Sequence, residues 1–206
     1  INEAKDSDYA KSKLAGENEI LSNCPLATIL RPSVVYSVDD NFTTNFMTLL
    51  NRLPVFPLYY GGNTKFSPIH CSDLTDIIFN IISKNNYSNI IECVGPEVIT
   101  FKEIIKKLLN LINKKRILIP LPLPIAEISA NIFEFMPKPI LTRDQLRLLK
   151  HDNVLSGKYK SNFEIGVPAI RYFDKEVKKY SYMWRDGGQF STEKYTSKND
   201  FENKIS

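Results

Sequence analysis

Short apolar runs with the length of strands alternate along the chain with longer segments whose apolar residues recur every three to four positions. A polar opening leads into a helix expected over residues 7–21. Ala27-Thr28-Ile29-Leu30 follows, a run of the kind a buried parallel strand needs, ended by Arg31-Pro32. Across residues 41–53, Phe42, Phe46, Leu49, Leu50 and Leu53 fall on one side of a predicted helix. Tyr59-Tyr60-Gly61-Gly62-Asn63 reads as a turn and residues 66–70 as extended chain. Ser72-Asp73 then opens a helix carrying Leu74, Ile77, Ile78, Ile81 and Ile82.

Asn89-Ile90-Ile91-Glu92-Cys93-Val94 is a second strand pattern, closed by Gly95-Pro96. Thr100 with Glu103 three residues on is a capping box, ahead of Phe101, Ile104, Ile105, Leu108, Leu109 and Ile112 at helical period. Ile117-Leu118-Ile119 is a third strand pattern. Residues 117–141 are the most apolar stretch, yet prolines bracket a helix of about a dozen residues holding Glu127 and Glu134, too short and too charged to span a bilayer. A packing helix is expected there. Thr142-Arg143-Asp144-Gln145 reads as another capping box, and residues 172–184 as a final amphipathic helix. Residues 189–206 are expected to form a polar, disordered tail.

The alternation predicts an α/β fold: the C-terminal part of a Rossmann-like, doubly wound parallel sheet with a small, mostly helical lobe at about 117–170. At 206 residues and 43% hydrophobic, the chain can bury a core. The net charge of +4 is spread along helices without forming a stripe, which argues against nucleic-acid binding. Cys24, Cys71 and Cys93 each adjoin an apolar run, predicting buried, reduced thiols. With no CxxC spacing and only His70 and His151, no zinc site is expected.

The candidate chemistry sits near the start. Tyr9 and Lys13, four apart, share one face of the first helix. An ammonium there can stabilise a phenolate and fit it for acid–base work on a carbonyl or alcohol. In a chain rich in Tyr and Lys such a pair also arises by chance, so the later motifs decide its meaning.

Those motifs occur in a fixed order: Tyr9-Ala10-Lys11-Ser12-Lys13-Leu14-Ala15-Gly16-Glu17, then Leu30-Arg31-Pro32-Ser33-Val34-Val35-Tyr36, then Pro68-Ile69-His70-Cys71-Ser72-Asp73-Leu74. The set resembles the second half of an extended or atypical short-chain dehydrogenase/reductase of the NAD-dependent epimerase/dehydratase type. Residues 137–154 and Gly166-Val167-Pro168, followed by Tyr180 and Arg185-Asp186-Gly187-Gly188, resemble the branch of the dehydrogenase-like accessory subunit of respiratory complex I. The resemblance implies that Tyr9 is the catalytic tyrosine and that Lys13 supports it and hydrogen-bonds the nicotinamide ribose. It implies that Pro32, Ser33, Val34 and Val35 form the loop beside the nicotinamide of NAD or NADP. His70 and Asp73 match a recurrent turn, for which a structural role is expected.

The family's glycine-rich phosphate loop is missing, since none of the eight glycines forms GxxGxxG or GxGxxG. The family's third catalytic group, a Ser that the resemblance places before Ile1, is absent as well. The chain is therefore expected to be the C-terminal portion of a longer protein whose N-terminal half is its first partner. On this basis residues 1–188 form a nucleotide-binding scaffold, or an assembly or quinone-pathway factor, allied to complex I subunits. The resemblance places it in the bacterial cytoplasm or on the mitochondrial matrix side, peripheral to a membrane and without a transmembrane span. The alternative is an active NAD(P)-dependent oxidoreductase or epimerase using Tyr9 and Lys13.

Overall fold

A computed structural model describes residues 6–84, 90–121 and 143–190. Helix α1 (Asp8–Asn23) is followed by strands β1 (Ile29–Pro32) and β2 (Val35–Tyr36), helix α2 (Thr43–Arg52) and strand β3 (Val55–Tyr59). A 3-10 turn at Tyr60–Gly62 leads through β4 (Lys65–Phe66) and β5 (Ile69–His70) into α3 (Cys71–Lys84). Then come β6 (Ile90–Cys93), β7 (Ile99–Thr100), α4 (Phe101–Leu111) and β8 (Ile117–Leu121). The last elements are α5 (Arg143–Leu148), β9 (Lys160–Ser161) and α6 (Phe173–Lys178).

The central sheet is parallel, in the order β1-β6-β9, with Ile29 opposite Ile90 and Ile91 opposite Lys160. Two further parallel pairs, β2 with β5 and β3 with β8, extend the parallel character. Among the described residues only β4 and β7 run antiparallel. This is the expected α/β class with helices between parallel strands.

Two apolar clusters hold it together. Ile69, Ile77, Ile81, Ile91 and Cys93 pack α3 on the central sheet. The larger cluster joins α2, β3, α4 and α6 through Met47, Leu50, Phe56, Phe101, Ile104, Leu108 and Val177. Phe46 meets Phe101 with centroids 5.3 Å apart, and Phe42 meets Phe46 edge-on at 5.1 Å. The predicted box on α4 forms in full: Thr100 Oγ1 accepts the Glu103 N–H at 3.2 Å, and Glu103 accepts the Thr100 N–H at 2.7 Å. Asp40 starts α2 by accepting the N–H groups of Thr43 and Thr44 at 2.6 and 3.2 Å.

Two glycines are required by geometry. Gly62 has φ +74°, and a Cβ there would lie 2.8 Å from the Lys102 Cβ. At Gly95 a Cβ would lie 1.7 Å from the Pro68 carbonyl oxygen. The end of β6 therefore presses directly on the 67–69 backbone, and the Gly95 N–H donates to the Ser67 carbonyl at 3.0 Å.

Several expectations change. The final helix is not continuous over 172–184: α6 stops at Lys178 and a separate 3-10 turn spans Ser181–Trp184. The break lets two side chains reach α2, Tyr180 Oη pairing with Thr43 Oγ1 at 2.8 Å and Trp184 Nε1 donating to Thr48 Oγ1 at 2.9 Å. Nor are all three thiols buried: Cys24 is exposed, Cys71 half-buried and only Cys93 fully enclosed. Burial raises the Cys93 thiol to about 12. The helix expected between the prolines of residues 120–139, Thr142 of the second capping box and the tail beyond residue 190 lie outside the described residues.

Candidate nicotinamide-side site

Helix α1 begins where two acceptors meet its otherwise unpaired N–H groups. Ser7 Oγ accepts the Ala10 N–H at 3.2 Å. Asp144, on α5, accepts the N–H of Asp8 at 2.8 Å and of Tyr9 at 3.1 Å, and the Ser7 hydroxyl donates to it at 3.0 Å. Burial disfavours the charged form of Asp144, but the bonds from Asp8, Ser7 and Tyr9 outweigh it and hold the carboxyl below its ordinary range. The carboxylate also complements the positive end of the helix dipole.

Tyr9 is 53% exposed at this capped end. Lys13 stands one turn further on, with its Nζ over the Tyr9 ring at 5.6 Å from the centroid. The ring face attracts the ammonium there. The two predicted residues thus meet on one exposed face.

Glu17, on the same helix, fixes α1 against the sheet. Its carboxylate takes the Arg31 guanidinium of β1 at 2.5 and 3.0 Å, and both side chains are largely buried. Arg31 also stacks on the Tyr159 ring at 4.7 Å. The hydrogen bond to Glu17 raises the guanidinium above its usual range despite burial. Tyr9 lies eight residues before Glu17, about 12 Å along the axis from the residue that holds α1 beside Arg31, the penultimate residue at the carboxyl end of β1. In open parallel sheets ligands bind at that end of the strands.

Pro32 ends β1 opposite Cys93, with its ring exposed. Ser33 is buried and both its donors are engaged: N–H to the Cys93 carbonyl and Oγ to the Asn153 carbonyl, each at 2.9 Å. The Val34 carbonyl accepts the Ile69 N–H at 2.9 Å, and Val35 pairs with Ile69 across β2 and β5. Of these four residues Pro32 faces solvent most openly, while the other three anchor the loop.

His70 and Asp73 are engaged structurally. His70 Nδ1 accepts the Ser72 N–H at 3.2 Å, its ring meets Tyr36 edge-on at 5.2 Å, and its Nε2 lies 3.9 Å from Glu176. Asp73 is buried and receives the Arg171 N–H at 3.1 Å together with that residue's guanidinium. Sequence reasoning missed Asp144 and Asn153 as site-builders, because their partners lie more than a hundred residues away and leave no local pattern. Among the described residues no cluster of His, Cys, Asp and Glu could hold a metal, and no helix is long and apolar enough to cross a membrane.

No protein-family model matches the chain. It is 29% identical over 161 residues to NADH dehydrogenase [ubiquinone] 1 alpha subcomplex subunit 9 of Arabidopsis thaliana, covering 73% of this chain and 40% of the relative. The subunit of the same name from Dictyostelium discoideum is 26% identical over 197 residues, covering 92% of this chain and 54% of the relative. The chain therefore spans about half the length of the curated relatives it matches. Among solved structures, the dTDP-glucose 4,6-dehydratase of Bacillus anthracis in complex with NAD superposes with a TM-score of 0.58 at 14% identity, over 86% of this chain and 51% of that one. In sequence the chain is similar to the alpha subcomplex subunit 9 of mitochondrial NADH dehydrogenase, and its parallel α/β fold is similar to that of the NAD-bound dTDP-glucose 4,6-dehydratase.

Proposed function

We propose that the chain forms the nicotinamide end of an NAD(P) site in a short-chain dehydrogenase-like subunit that serves respiratory complex I as a nucleotide-binding scaffold. The observation that carries this reading is the exposed Tyr9–Lys13 pair, on the helix that Glu17 fixes to the parallel strand β1. Lys13 would hydrogen-bond the ribose hydroxyls next to the nicotinamide, Tyr9 would stand beside the ring, and Pro32 would bound the pocket. A bound dinucleotide would supply hydride chemistry if a substrate were admitted.

The phosphate end belongs to a segment these residues do not include. We assign it to an N-terminal half of the same polypeptide, whose strand-to-helix turn would hold the pyrophosphate at a helix N-terminus. The free side of β1 supports this, since β6 pairs with one edge and no described strand pairs with the other. We place its partners among complex I subunits on the matrix side; that the relatives are mitochondrial NADH dehydrogenase subunits supports the partnership. A second reading, turnover as an oxidoreductase or epimerase, draws support from the exposure of the Tyr9 phenol beside Lys13.

The test is to purify the full-length polypeptide, identify its bound nucleotide and determine what co-purifies. NAD(P) retained with respiratory subunits and no carbonyl-dependent oxidation of reduced cofactor supports the scaffold. Turnover lost in Tyr9→Phe supports the enzyme. A preparation without dinucleotide affinity refutes both.

A further inference from the structure

The segment 143–153 touches two parts of the candidate site, the start of α1 and the loop that follows β1. At its start Asp144 receives the Asp8 and Tyr9 N–H groups and the Ser7 hydroxyl. Further along, His151 places Nε2 3.7 Å from the carboxylate of Asp6, just ahead of Ser7. Asp152 accepts the Lys65 N–H at 2.8 Å. At its end the Asn153 carbonyl accepts both the Ser33 hydroxyl at 2.9 Å and the Ser67 N–H at 3.0 Å. One short stretch thus ties the start of the Tyr9 helix to the loop that follows β1.

We infer that Asp144 is a positioning residue for the nicotinamide end of the site: it sets the start of α1, and thereby Tyr9 and Lys13, relative to the Ser33 loop anchored by Asn153. The inference rests on the proposed dinucleotide site. A simple cap would need only Ser7, which already serves the Ala10 N–H. Asp144 instead binds the backbone of Tyr9 itself, from an element remote in sequence, so the helix start is referenced to the same stretch that fixes the nicotinamide loop. Without that carboxylate the first two N–H groups turn to water and the first turn frays. The phosphate end, built elsewhere, would be untouched.

The experiment titrates the full-length protein with NADH or NADPH, whichever binds, and with ADP, which lacks the nicotinamide riboside. The variants are Asp144→Ala, Asp144→Asn and, as a control on the site itself, Lys13→Met. Asp144→Ala should weaken the reduced dinucleotide about tenfold while ADP affinity stays within about twofold. Asp144→Asn, which keeps one acceptor oxygen, should recover part of the loss. Unchanged dinucleotide affinity in Asp144→Ala, with Lys13→Met weakened, overturns the positioning role and leaves the site standing. Parallel loss of both ligands overturns it too, since Asp144 would then serve only the fold. Unchanged affinity in Lys13→Met removes the site, and this inference with it.

Discussion

The carboxylate of Asp144 accepts the backbone N–H of Tyr9 at 3.1 Å, across 135 residues of sequence. The candidate tyrosine is thereby held by an element that lies far after it in chain order. Stability and site geometry are coupled here, and the contacts below separate them.

Gly95 should be the least replaceable glycine in the chain. An added methyl would enter the Pro68 carbonyl, which is backbone and cannot swing aside. Gly95→Ala should destabilise the full-length protein by about 3 kcal/mol or more in urea unfolding. A loss below about 1 kcal/mol would show that β6 does not press on residues 67–69 as described.

The Glu17–Arg31 pair offers a cleaner measurement, because both side chains are largely buried. Arg31→Met alone leaves a carboxylate without its partner and should cost about 3 kcal/mol. The double replacement Glu17→Gln/Arg31→Met should recover a substantial part of that. A double-mutant cycle with no coupling would contradict the fixing of α1 to β1 through this pair.

The α4 capping box was legible in the sequence because all its partners lie within four residues. The start of α1 was legible as a polar opening into a helix, and its cap, Ser7, is local too. Strands β2, β7 and β9 have two residues each and exist only through pairing with distant chain, so no periodicity announced them, while β4 and β5 were legible only as the extended stretch at residues 66–70. The break after Lys178 was equally hidden, since it answers to Thr43 and Thr48 on another helix. The site divided along the same line. That Tyr9 and Lys13 meet could be read from their spacing, whereas Asp144 and Asn153 act across the fold.

His70 gives the structure a pH dependence with a definite sign. Burial lowers its imidazole below the ordinary value near 6.5, outweighing the nearby Glu176 carboxylate, which acts in the opposite direction. The unfolded chain therefore binds the proton more readily than the folded one. The stabilising contribution of the neutral ring is complete above pH 6.5 and is lost as pH falls through the lower folded value. Unfolding midpoints followed downward from about pH 7.5 should fall more steeply for the wild type than for His70→Gln. Equal slopes would remove His70 from the titration.

The central claim is that Tyr9 and Lys13 mark the nicotinamide end of a dinucleotide site. Its most direct test is the fluorescence titration of NADH and NADPH against the full-length protein and its Tyr9→Phe/Lys13→Met variant. Affinity for the preferred cofactor should fall at least about tenfold in the variant, with the unfolding midpoint little changed. Equal affinity in the two proteins, or no binding of either cofactor to the wild type, would contradict it.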